Sequence, residues 1–469
     1  MTLRALLLGG ALLTLVGCDM APDYQPPQMT VPDSYKEASP WQPAQPADMA
    51  DRGEWWRVFG DSTLDALESQ LQEGSPTLAI AVARYDQARA LADQASAGLY
   101  PELDAGGSTT VNRQSAQRPL RGNSQPNQYG VTQIGVQASY ELDLWGAVRN
   151  RVAAGRDIAE AGASDLAAVQ LSLSAELAAD YLTLRGLDSD IRLLGDTVAA
   201  YRKAVDLTQA LFQNAVASGL DVSRAETQLS LAQAQLSDNE ARRALVEHAI
   251  AALLGKTPAD LTIAPASPTV ALPELPAGVP SRLLQRRPDI AAAERRVAAA
   301  NARIGVAKAA FYPSLSLGLL GGEQSTGTTL TGLPDSVWTL GPSVTLPLFT
   351  GGRLEAQEDS AYAAHQESGA AYRATVIRAF QEVEDNLALI KWLGTEATDI
   401  DAGVAQSHRT LSIAMKLYQE GAASYLEVVT AQTTYLQTKL TSIDLRTRRL
   451  QADVGLIRAL GGSWGYSRP

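Results

Sequence analysis

Cysteine, histidine and aromatic residues are scarce in this chain of 469 residues. Cys18 is its one cysteine, so no disulfide can form within the chain. The three histidines, His248, His365 and His408, stand far apart without the spacing of metal ligands, and we expect no metal site. Aromatic residues make up 6% of the chain, and abundant Ala, Leu, Gln, Arg and Glu favour elongated helices over an ordinary globular enzyme.

Positive charge is also in short supply. The formal net charge is −12, and because phosphate binding needs a basic face, we expect no nucleic-acid partner. Cationic or neutral cargo would fit better. Neither Gly321-Gly322 nor Gly351-Gly352 has the Lys-Ser/Thr of a phosphate loop, and acidic residues such as Glu382, Glu384 and Asp385 are expected to line solvent. With no catalytic constellation, we expect neither an enzyme nor a bound cofactor.

Long apolar runs are missing after the first seventeen residues. No later segment reaches the ~20 apolar residues of a membrane helix, so we expect any membrane crossing to be made by strands. Residues 1–17 are typical of a bacterial export signal, and Leu15-Val16-Gly17-Cys18 forms a lipobox. Cys18 would then carry a covalent lipid, although a chance cysteine beside an ordinary signal peptide is the alternative. Asp19 leaves the sorting signal ambiguous, because an acidic residue there retains some lipoproteins at the inner membrane.

The chain is a tandem duplication. Leu220-Asp221-Val222 recurs as Leu426-Glu427-Val428, and Leu254-Gly255 recurs as Leu460-Gly461, at one offset of 206 residues. With small shifts of the offset, Leu99-Tyr100-Pro101 matches Phe311-Tyr312-Pro313, and Leu142-Asp143-Leu144-Trp145-Gly146 matches Leu346-Pro347-Leu348-Phe349-Thr350-Gly351. A helical solenoid would show shorter repeats of roughly 20 to 50 residues, so the chain carries two copies of one large motif.

The domain organisation follows from this duplication. We predict a signal peptide (1–17), a lipidated extended segment (18–54), a first repeat (55–260), a Pro-rich linker (261–280), a second repeat (281–462) and a C-terminal tail (463–469). Each repeat is predicted to contain helices, two strands and a long helical hairpin. The strands are predicted at about 102–112, 131–142, 313–321 and 337–347, and the hairpin tips near 219 and 421.

The predicted strands alternate between apolar and polar residues. Ile134, Val136 and Ala138, for example, alternate with Gly135 and Gln137. A soluble sheet with one wet face gives the same pattern. Four strands cannot close a barrel, which needs about eight, and an open sheet in lipid leaves its edge groups unpaired. We therefore expect several copies to share one barrel. Three copies would supply twelve strands, while two or four copies stay open.

The helices that follow each strand pair are predicted to be very long. No proline lies between Gly146 and Pro258 or from Gly351 to Ser467. Apolar residues such as Leu177, Tyr181 and Leu184 recur at three- and four-residue spacing, which indicates a coiled-coil seam. About 70 residues of continuous helix would extend ~100 Å, a length suited to crossing a periplasm. A cytoplasmic coiled-coil rod is the other interpretation, and the lipobox argues against it.

Together these segments resemble a TolC-like outer membrane factor, of the lipoprotein branch that serves tripartite efflux pumps of the resistance-nodulation-division type. The most specific resemblance lies in residues 279–290, which include Arg287-Pro288-Asp289-Ile290, and in Ala310-Phe311-Tyr312-Pro313-Ser314-Leu315. The resemblance implies an α+β membrane protein in which three copies share a twelve-stranded β-barrel continuous with an α-helical coiled-coil tunnel. It also implies a homotrimer in the outer membrane that extends into the periplasm and works with a periplasmic adaptor and an inner-membrane pump.

The resemblance implies functional residues at the two hairpin tips. Gly219 and Gly421 match the glycines on which adaptors of the family pack, where the lack of a side chain permits close approach; each could instead simply end a helix. Asp221 and Glu427 match acidic rings that narrow the channel gate and favour cations. Relatives commonly have a second Asp at Thr430, and some carry a gating Arg at Ala423, so we expect a closed state with fewer polar links.

The sequence thus predicts a passive exit duct that expels small molecules such as drugs from the periplasm to the exterior. A channel for protein export and a non-conducting structural envelope lipoprotein are the alternatives. The predicted lipidation and the Arg287-Pro288-Asp289-Ile290 segment favour small-molecule efflux. Five Met and three His give no support to copper or silver as cargo.

Overall fold

The computed structural model describes residues 19–29, 36–37, 53–117, 126–266, 272–273, 287–326 and 335–462. Cys18, where we predict lipidation, lies outside these residues, as does most of the predicted linker. The described chain forms two compact units. The first unit comprises the described residues within Met1–Gln28, Arg84–Ala163 and Ala292–Arg373. The second unit comprises those within Met29–Ala83, Ser164–Ala291 and Ala374–Pro469. Each unit therefore combines parts of both sequence repeats.

The first repeat begins with a 3-10 turn at Trp55–Phe59. It continues with α1 (Ser62–Gly74), α2 (Pro76–Ala97), β1 (Glu102–Arg113), β2 (Gln128–Leu142), α3 (Ala147–Gln213) and α4 (Gly219–Leu253). The side chain of Asp61 caps α1 by accepting hydrogen bonds from the backbone N–H groups of Thr63 and Leu64. A short 3-10 turn at Pro258–Asp260 follows α4.

The second repeat has matching elements. They are α5 (Pro288–Ala309), β3 (Ser314–Ser325), β4 (Ser336–Thr345), α6 (Arg353–Gln419) and α7 (Tyr425–Ala459). α3 and α6 each have 67 residues, and α4 and α7 each have 35. The equal lengths of the matching helices thus agree with the duplication seen in the sequence. None of the described helices has an apolar stretch long enough to cross a membrane.

The four strands form one antiparallel sheet in the order β1-β2-β3-β4. Its central pairing joins the two repeats, with Leu142 of β2 opposite Leu315 of β3. Because β2 belongs to the first repeat and β3 to the second, neither repeat forms this sheet alone. Within the described chain, β1 and β4 are edge strands whose outer backbone groups have no strand partner.

The strand register brings the alternating apolar residues of all four strands to one face. Ala105, Val136, Gly321 and Trp338 form one cross-strand row of this face. The neighbouring row contains Leu103, Ala138, Leu319 and Leu340. This apolar face is open in the single chain, and Trp338 is 76% exposed. A large exposed apolar surface indicates an interaction with a membrane or another protein.

The second unit has its own packed core. Fully buried side chains from α1 and α3, among them Leu64, Leu177 and Tyr181, form one cluster with the Trp55–Phe59 turn. The hydroxyl group of Tyr181 donates to the Asp61 carboxylate at 2.6 Å. The predicted seam residues of α3 therefore pack within this core and fix the start of α1.

Arg287, from the most specific segment of the family resemblance, is a buried structural residue. Its guanidinium group donates to the carbonyl oxygen of Ala459 at 3.0 Å, at the C-terminal end of α7, where a positive charge is favourable. It also forms ion pairs of 2.7 Å with Asp289 and with Glu382. The expectation that Glu382 lines solvent is therefore wrong, because its carboxylate is needed to balance a buried guanidinium.

Glu384 is likewise engaged. Its carboxylate accepts hydrogen bonds from the backbone N–H groups of Lys36 and Glu37, at 2.7 and 3.2 Å. Lys391 pairs with the side chain of Glu37 at 3.1 Å. This part of the N-terminal segment is thus held on α6 by polar contacts, which the interpretation of Glu384 as a solvent-lining residue did not foresee.

Candidate gate and docking tip

The first hairpin tip connects α3 to α4 through a tight turn. Ala215 has a φ of +59° and is the one non-glycine with positive φ in the described part of the chain. The N–H of Val216 donates to the carbonyl oxygen of Leu211 at 2.8 Å. This hydrogen bond and the left-handed residue before it are typical of a Schellman helix ending.

Asp221 lies in the first turn of α4 and caps it. The Ser218 hydroxyl accepts from the N–H of Asp221 at 3.2 Å, and the Asp221 carboxylate accepts from the N–H and hydroxyl of Ser218 at 3.2 and 2.7 Å. This is a reciprocal capping box. Arg224 lies 3.6 Å from the same carboxylate. The charge of Asp221 is therefore used within its own helix.

The second hairpin tip has the same backbone with different residues. Gly421 has a φ of +73°, and the N–H of Ala422 donates to the carbonyl oxygen of Leu417 at 2.8 Å. These contacts match those of the first tip at the offset of 206 residues, so Ala215 is the counterpart of Gly421. Gly219 is the first residue of α4. The suggestion that Gly219 ends a helix is therefore wrong.

The two glycines also differ in what a side chain would meet. A Cβ atom added to Gly219 would lie 3.7 Å from the Phe212 ring, an ordinary contact. A Cβ atom on Gly421 would meet no atom within 4 Å, yet the positive φ of this residue disfavours any side chain. Position 219 can thus accept a side chain, whereas Gly421 is required by the turn itself.

Glu427 is the counterpart of Asp221, but its carboxylate is exposed. Ser424 is the N-cap of α7 and makes no side-chain capping hydrogen bond. No described residue forms an ion pair with Glu427. The Thr430 hydroxyl donates back to the carbonyl oxygen of Leu426 at 2.9 Å. Glu427 is therefore an exposed charge at this tip with no ion-pair partner among the described residues.

A groove of about 440 Å³ lies beside Glu427 on α6 and α7. It is lined by Ser407, Thr410, Ala414, Leu426, Glu427, Thr430, Ala431 and Thr434. These side chains are mostly small, and hydroxyl groups give the groove a mildly polar wall. A helix from another molecule could approach such a surface closely, because no long side chain other than Glu427 blocks it.

The base of the tip is packed by all four long helices. Tyr425 and Val428 of α7 are buried against Ala414 of α6 and Ala225 of α4, with Val205 of α3 at the margin. The Tyr425 ring lies 5.4 Å from the ring of Tyr418. The two acidic positions are thus carried on a packed base and are set by helix geometry rather than by a loop.

The residues that follow Cys18 are fixed in the first unit. The Asp19 carboxylate accepts from the Asn150 amide at 2.7 Å and from the N–H of Ala21 at 3.0 Å. A Cβ atom on Gly305 would come within 2.8 Å of Ala21, so glycine there makes room for this segment. Asp19, noted in the sequence only for its effect on sorting, therefore has a structural partner.

Two of the buried carboxyl groups away from the tips have raised pKa values. Burial raises the pKa of Glu68, in α1, to about 8, and burial raises the pKa of Asp453, in α7, to about 7. Glu68 follows Leu64 and Leu67 on the apolar face of α1, and this placement is the sequence signal that could have revealed it. Among the described residues, no cluster of His, Cys, Asp and Glu could hold a metal ion.

Relatives named as efflux or export proteins match nearly the full length of this chain. "Probable efflux pump outer membrane protein TtgC" of Pseudomonas putida is 33% identical over 470 residues, covering 99% of this chain and 96% of the relative. "Cation efflux system protein CusC" of Escherichia coli K12 is 30% identical, covering 96% and 97%. "Pyoverdine export outer membrane protein OpmQ" of Pseudomonas aeruginosa is 31% identical, covering 100% and 98%.

Solved channels share the fold. The outer-membrane channel OprN superposes with a TM-score of 0.86 at 28% identity, over 95% of this chain and all of the other. CusC superposes with a TM-score of 0.81 at 29% identity and the same coverage. The predicted fold class, long helices joined to a four-stranded sheet of an outer-membrane channel, is confirmed. The family described as "Outer membrane efflux protein" matches residues 67–256 and 279–462, and this chain belongs to that family as an outer-membrane efflux component.

Proposed function

We propose that this protein is the passive, homotrimeric exit duct of a tripartite efflux system and that it catalyses no reaction. The observation that carries the proposal is the sheet of four strands with one apolar face and two open edges. In lipid, each unpaired edge group costs several kcal/mol. Three copies would pair all edges in a twelve-stranded barrel, within the range of outer-membrane barrels.

Glu427 is the residue that we assign to the gate. Its carboxylate is exposed and has no ion-pair partner among the described residues, whereas Asp221 is held by Ser218 and Arg224. Three copies would place three Glu427 carboxylates around one axis. Such a ring narrows an aperture and favours cations. Asp221 is assigned a secondary contribution to the same gate.

The hairpin tips with Gly219 and Gly421 are proposed as the docking end for a periplasmic adaptor, which in turn contacts an inner-membrane pump. The exposed glycine at position 219 and the small residues of the groove beside Glu427 support this assignment. Close helix approach favours small residues of this kind. The pump would supply both the energy and the choice of cargo.

The cargo is proposed to be small molecules. Relatives are named for the efflux of toluene, antibiotics and cations and for pyoverdine export, so one duct architecture serves chemically different compounds. The net charge of −12 and the proposed Glu427 ring would suit cationic or neutral cargo in this chain.

Lipidation at Cys18 is part of the proposal. The lipobox supports it, and the contact between Asp19 and Asn150 would hold the attachment point against the first unit. The lipid would add an anchor in the outer membrane to that given by the shared barrel. Two membrane attachments per chain are more stable than one acyl chain alone.

The experiment that tests the function combines native mass with current. The purified particle in detergent should have the mass of three mature chains, each with its acyl groups, and should conduct in a planar bilayer. A stable monomer would contradict the proposed channel function, because four strands cannot enclose a pore. A trimer that never conducts, even with adaptor present, would indicate a structural lipoprotein instead.

The docking end is tested in the same preparation and in cells. Gly219→Leu adds a side chain where the backbone tolerates one, so the trimer and its current should persist while pump-dependent resistance falls. Gly195→Leu is the matched control, since Gly195 of α3 is another helical glycine and a Cβ atom there would meet no atom within 4 Å. Unchanged resistance in Gly219→Leu would place the adaptor contact elsewhere.

A further inference from the structure

An aromatic stack marks the place where the two repeats join. Trp145 and Tyr312 lie with their ring centroids 4.8 Å apart and their planes 28° from parallel. The indole N–H of Trp145 donates to the carbonyl oxygen of Pro313 at 2.8 Å. Trp145 follows the end of β2, and Tyr312 precedes the start of β3. The stack therefore closes the end of the β2–β3 pair.

The sequence repeat carries a second copy of this pair that has no partner within one chain. Phe349 is the repeat counterpart of Trp145, and Tyr100 is the counterpart of Tyr312. Phe349 follows β4 and is 92% exposed, whereas Tyr100 precedes β1 and is 71% exposed. Since β1 and β4 are the two open edges, these rings stand at opposite sides of the sheet.

We propose that Phe349 stacks on Tyr100 of the partner subunit and so closes each joint between neighbouring copies as Trp145 and Tyr312 close the joint within the chain. This inference rests on the shared barrel of the proposed function. The partner is a second copy of this chain because only another copy presents the matching edge strand, aromatic ring and repeat geometry together.

The strand register is compatible with this stack. In the chain, β2 and β3 pair from Leu142 opposite Leu315 to Thr132 opposite Ser325. Carried over by the repeat, this register places Leu346 opposite Leu103 of the partner subunit and Ser336 opposite Arg113 of the partner subunit. All of β4 then falls opposite residues of β1, with no overhang.

The transferred register also preserves the apolar face. Leu340 would lie opposite Thr109 of the partner subunit, and both belong to the face that carries Trp338 and Val136. A slip by one residue would bring every apolar side chain opposite the wrong face. The aromatic pair and the transferred register therefore describe the same joint.

The stack is tested by thiol cross-linking of the full-length chain in its membrane. Tyr100→Cys combined with Phe349→Cys should give covalent dimers and trimers with a short bifunctional thiol reagent. Each single variant retains Cys18 and should give none, which controls for Cys18 and for like-to-like linkage. Trp145→Cys combined with Tyr312→Cys should close within the chain and show that the reagent spans such a stack.

The outcomes separate this inference from the function on which it rests. The stack is overturned if the native mass is trimeric and positions 145 and 312 link within the chain, but positions 100 and 349 give no covalent dimers or trimers. The trimer itself would stand. A monomeric mass would instead contradict the proposed function.

The thermal stability of the trimer gives a second measurement. Phe349→Trp should retain the trimer in dodecyl sulfate to a higher temperature than Phe349→Ser, because Phe349→Trp keeps an aromatic ring.

The register has its own test, which does not disturb the aromatic residues. Leu340→Cys with Thr109→Cys should cross-link neighbouring copies, since directly opposed residues of antiparallel strands bring their Cβ atoms within about 5.5 Å. Leu340→Cys with Thr110→Cys places the second thiol on the opposite face and should not react. Linkage of the second pair alone would show a slipped register and overturn the proposed joint.

Discussion

The two hairpin tips share a backbone but use their residues differently. In the first tip the left-handed position holds Ala215 and the acidic residue Asp221 caps its own helix. In the second tip the left-handed position holds Gly421, and Glu427 has no ion-pair partner among the described residues. Duplication thus preserved the geometry of the turn, while the use of the acidic side chain diverged.

This difference shows why matching sequence positions do not guarantee matching roles. The side chain of Asp221 is one methylene group shorter than that of Glu427, and its carboxylate accepts a hydrogen bond from the Ser218 hydroxyl at 2.7 Å. A carboxylate bound in this way is less available to ions in an aperture. The comparison therefore predicts that the first tip contributes mainly to stability and the second mainly to the charge of the gate.

The largest expected effect is on the turn at Gly421. Gly421→Ala places a side chain in a left-handed conformation and should destabilise the second tip by about 1 to 2 kcal/mol. The reverse change, Ala215→Gly, should stabilise the first tip by up to about 1 kcal/mol. Hydrogen exchange of the backbone amides at each tip measures both. Gly219→Ala is the control and should cost little, because Gly219 is helical.

Equal changes in hydrogen-exchange protection in Gly421→Ala and Gly219→Ala would contradict the difference between the two glycines. That result would mean that the two glycines occupy similar backbone conformations in the assembled protein. The docking assignment would then lose the distinction between a glycine required by the turn and a glycine that leaves an open surface.

The next effect concerns the gate charge. Glu427→Gln should lower the ratio of cation to anion permeability several-fold, since a unit charge at about 4 Å in water is worth roughly 1 kcal/mol. Asp221→Asn should change this ratio less, because Arg224 already lies 3.6 Å from that carboxylate. Reversal potentials in a salt gradient report both variants, and an equal change in the two would contradict a gate set mainly by Glu427.

The smallest effect concerns the helix caps. Ser218→Ala removes the capping box and should destabilise the start of α4 by about 0.5 to 1 kcal/mol. Ser424→Ala should have a weaker effect, since the Ser424 side chain makes no capping hydrogen bond. Hydrogen exchange in the first turns of α4 and α7 provides the measurement. Equal losses would show that Ser424 caps α7 in solution.

Periodic features of the fold could be predicted from the sequence. Alternation in β2 placed Ile134, Val136 and Ala138 on one face, and the register confirms that they share it with residues of the other three strands. The offset of 206 residues also led to the matching tips. Such features depend on local spacing, which a sequence displays directly.

Contacts between distant segments could not be predicted. The bond between Asp19 and Asn150 joins residues 131 positions apart, and Arg287 reaches the end of α7 across 172 positions. Neither has a local pattern. The left-handed conformation of Ala215 was not foreseen either, because alanine rarely adopts a positive φ. The offset of 206 residues matches Ala215 to Gly421, but the shared backbone conformation is visible only in the structure.

The open edges of the sheet carry a consequence for biogenesis. A lone chain in the bilayer would expose the outer backbone groups of both β1 and β4 to hydrocarbon. An incomplete barrel would therefore be unstable in the bilayer. Insertion and association must then occur as one event. The yield of channels would depend steeply on how many copies meet at the membrane surface, and crowding of newly exported chains, more than the stability of any one of them, would limit production.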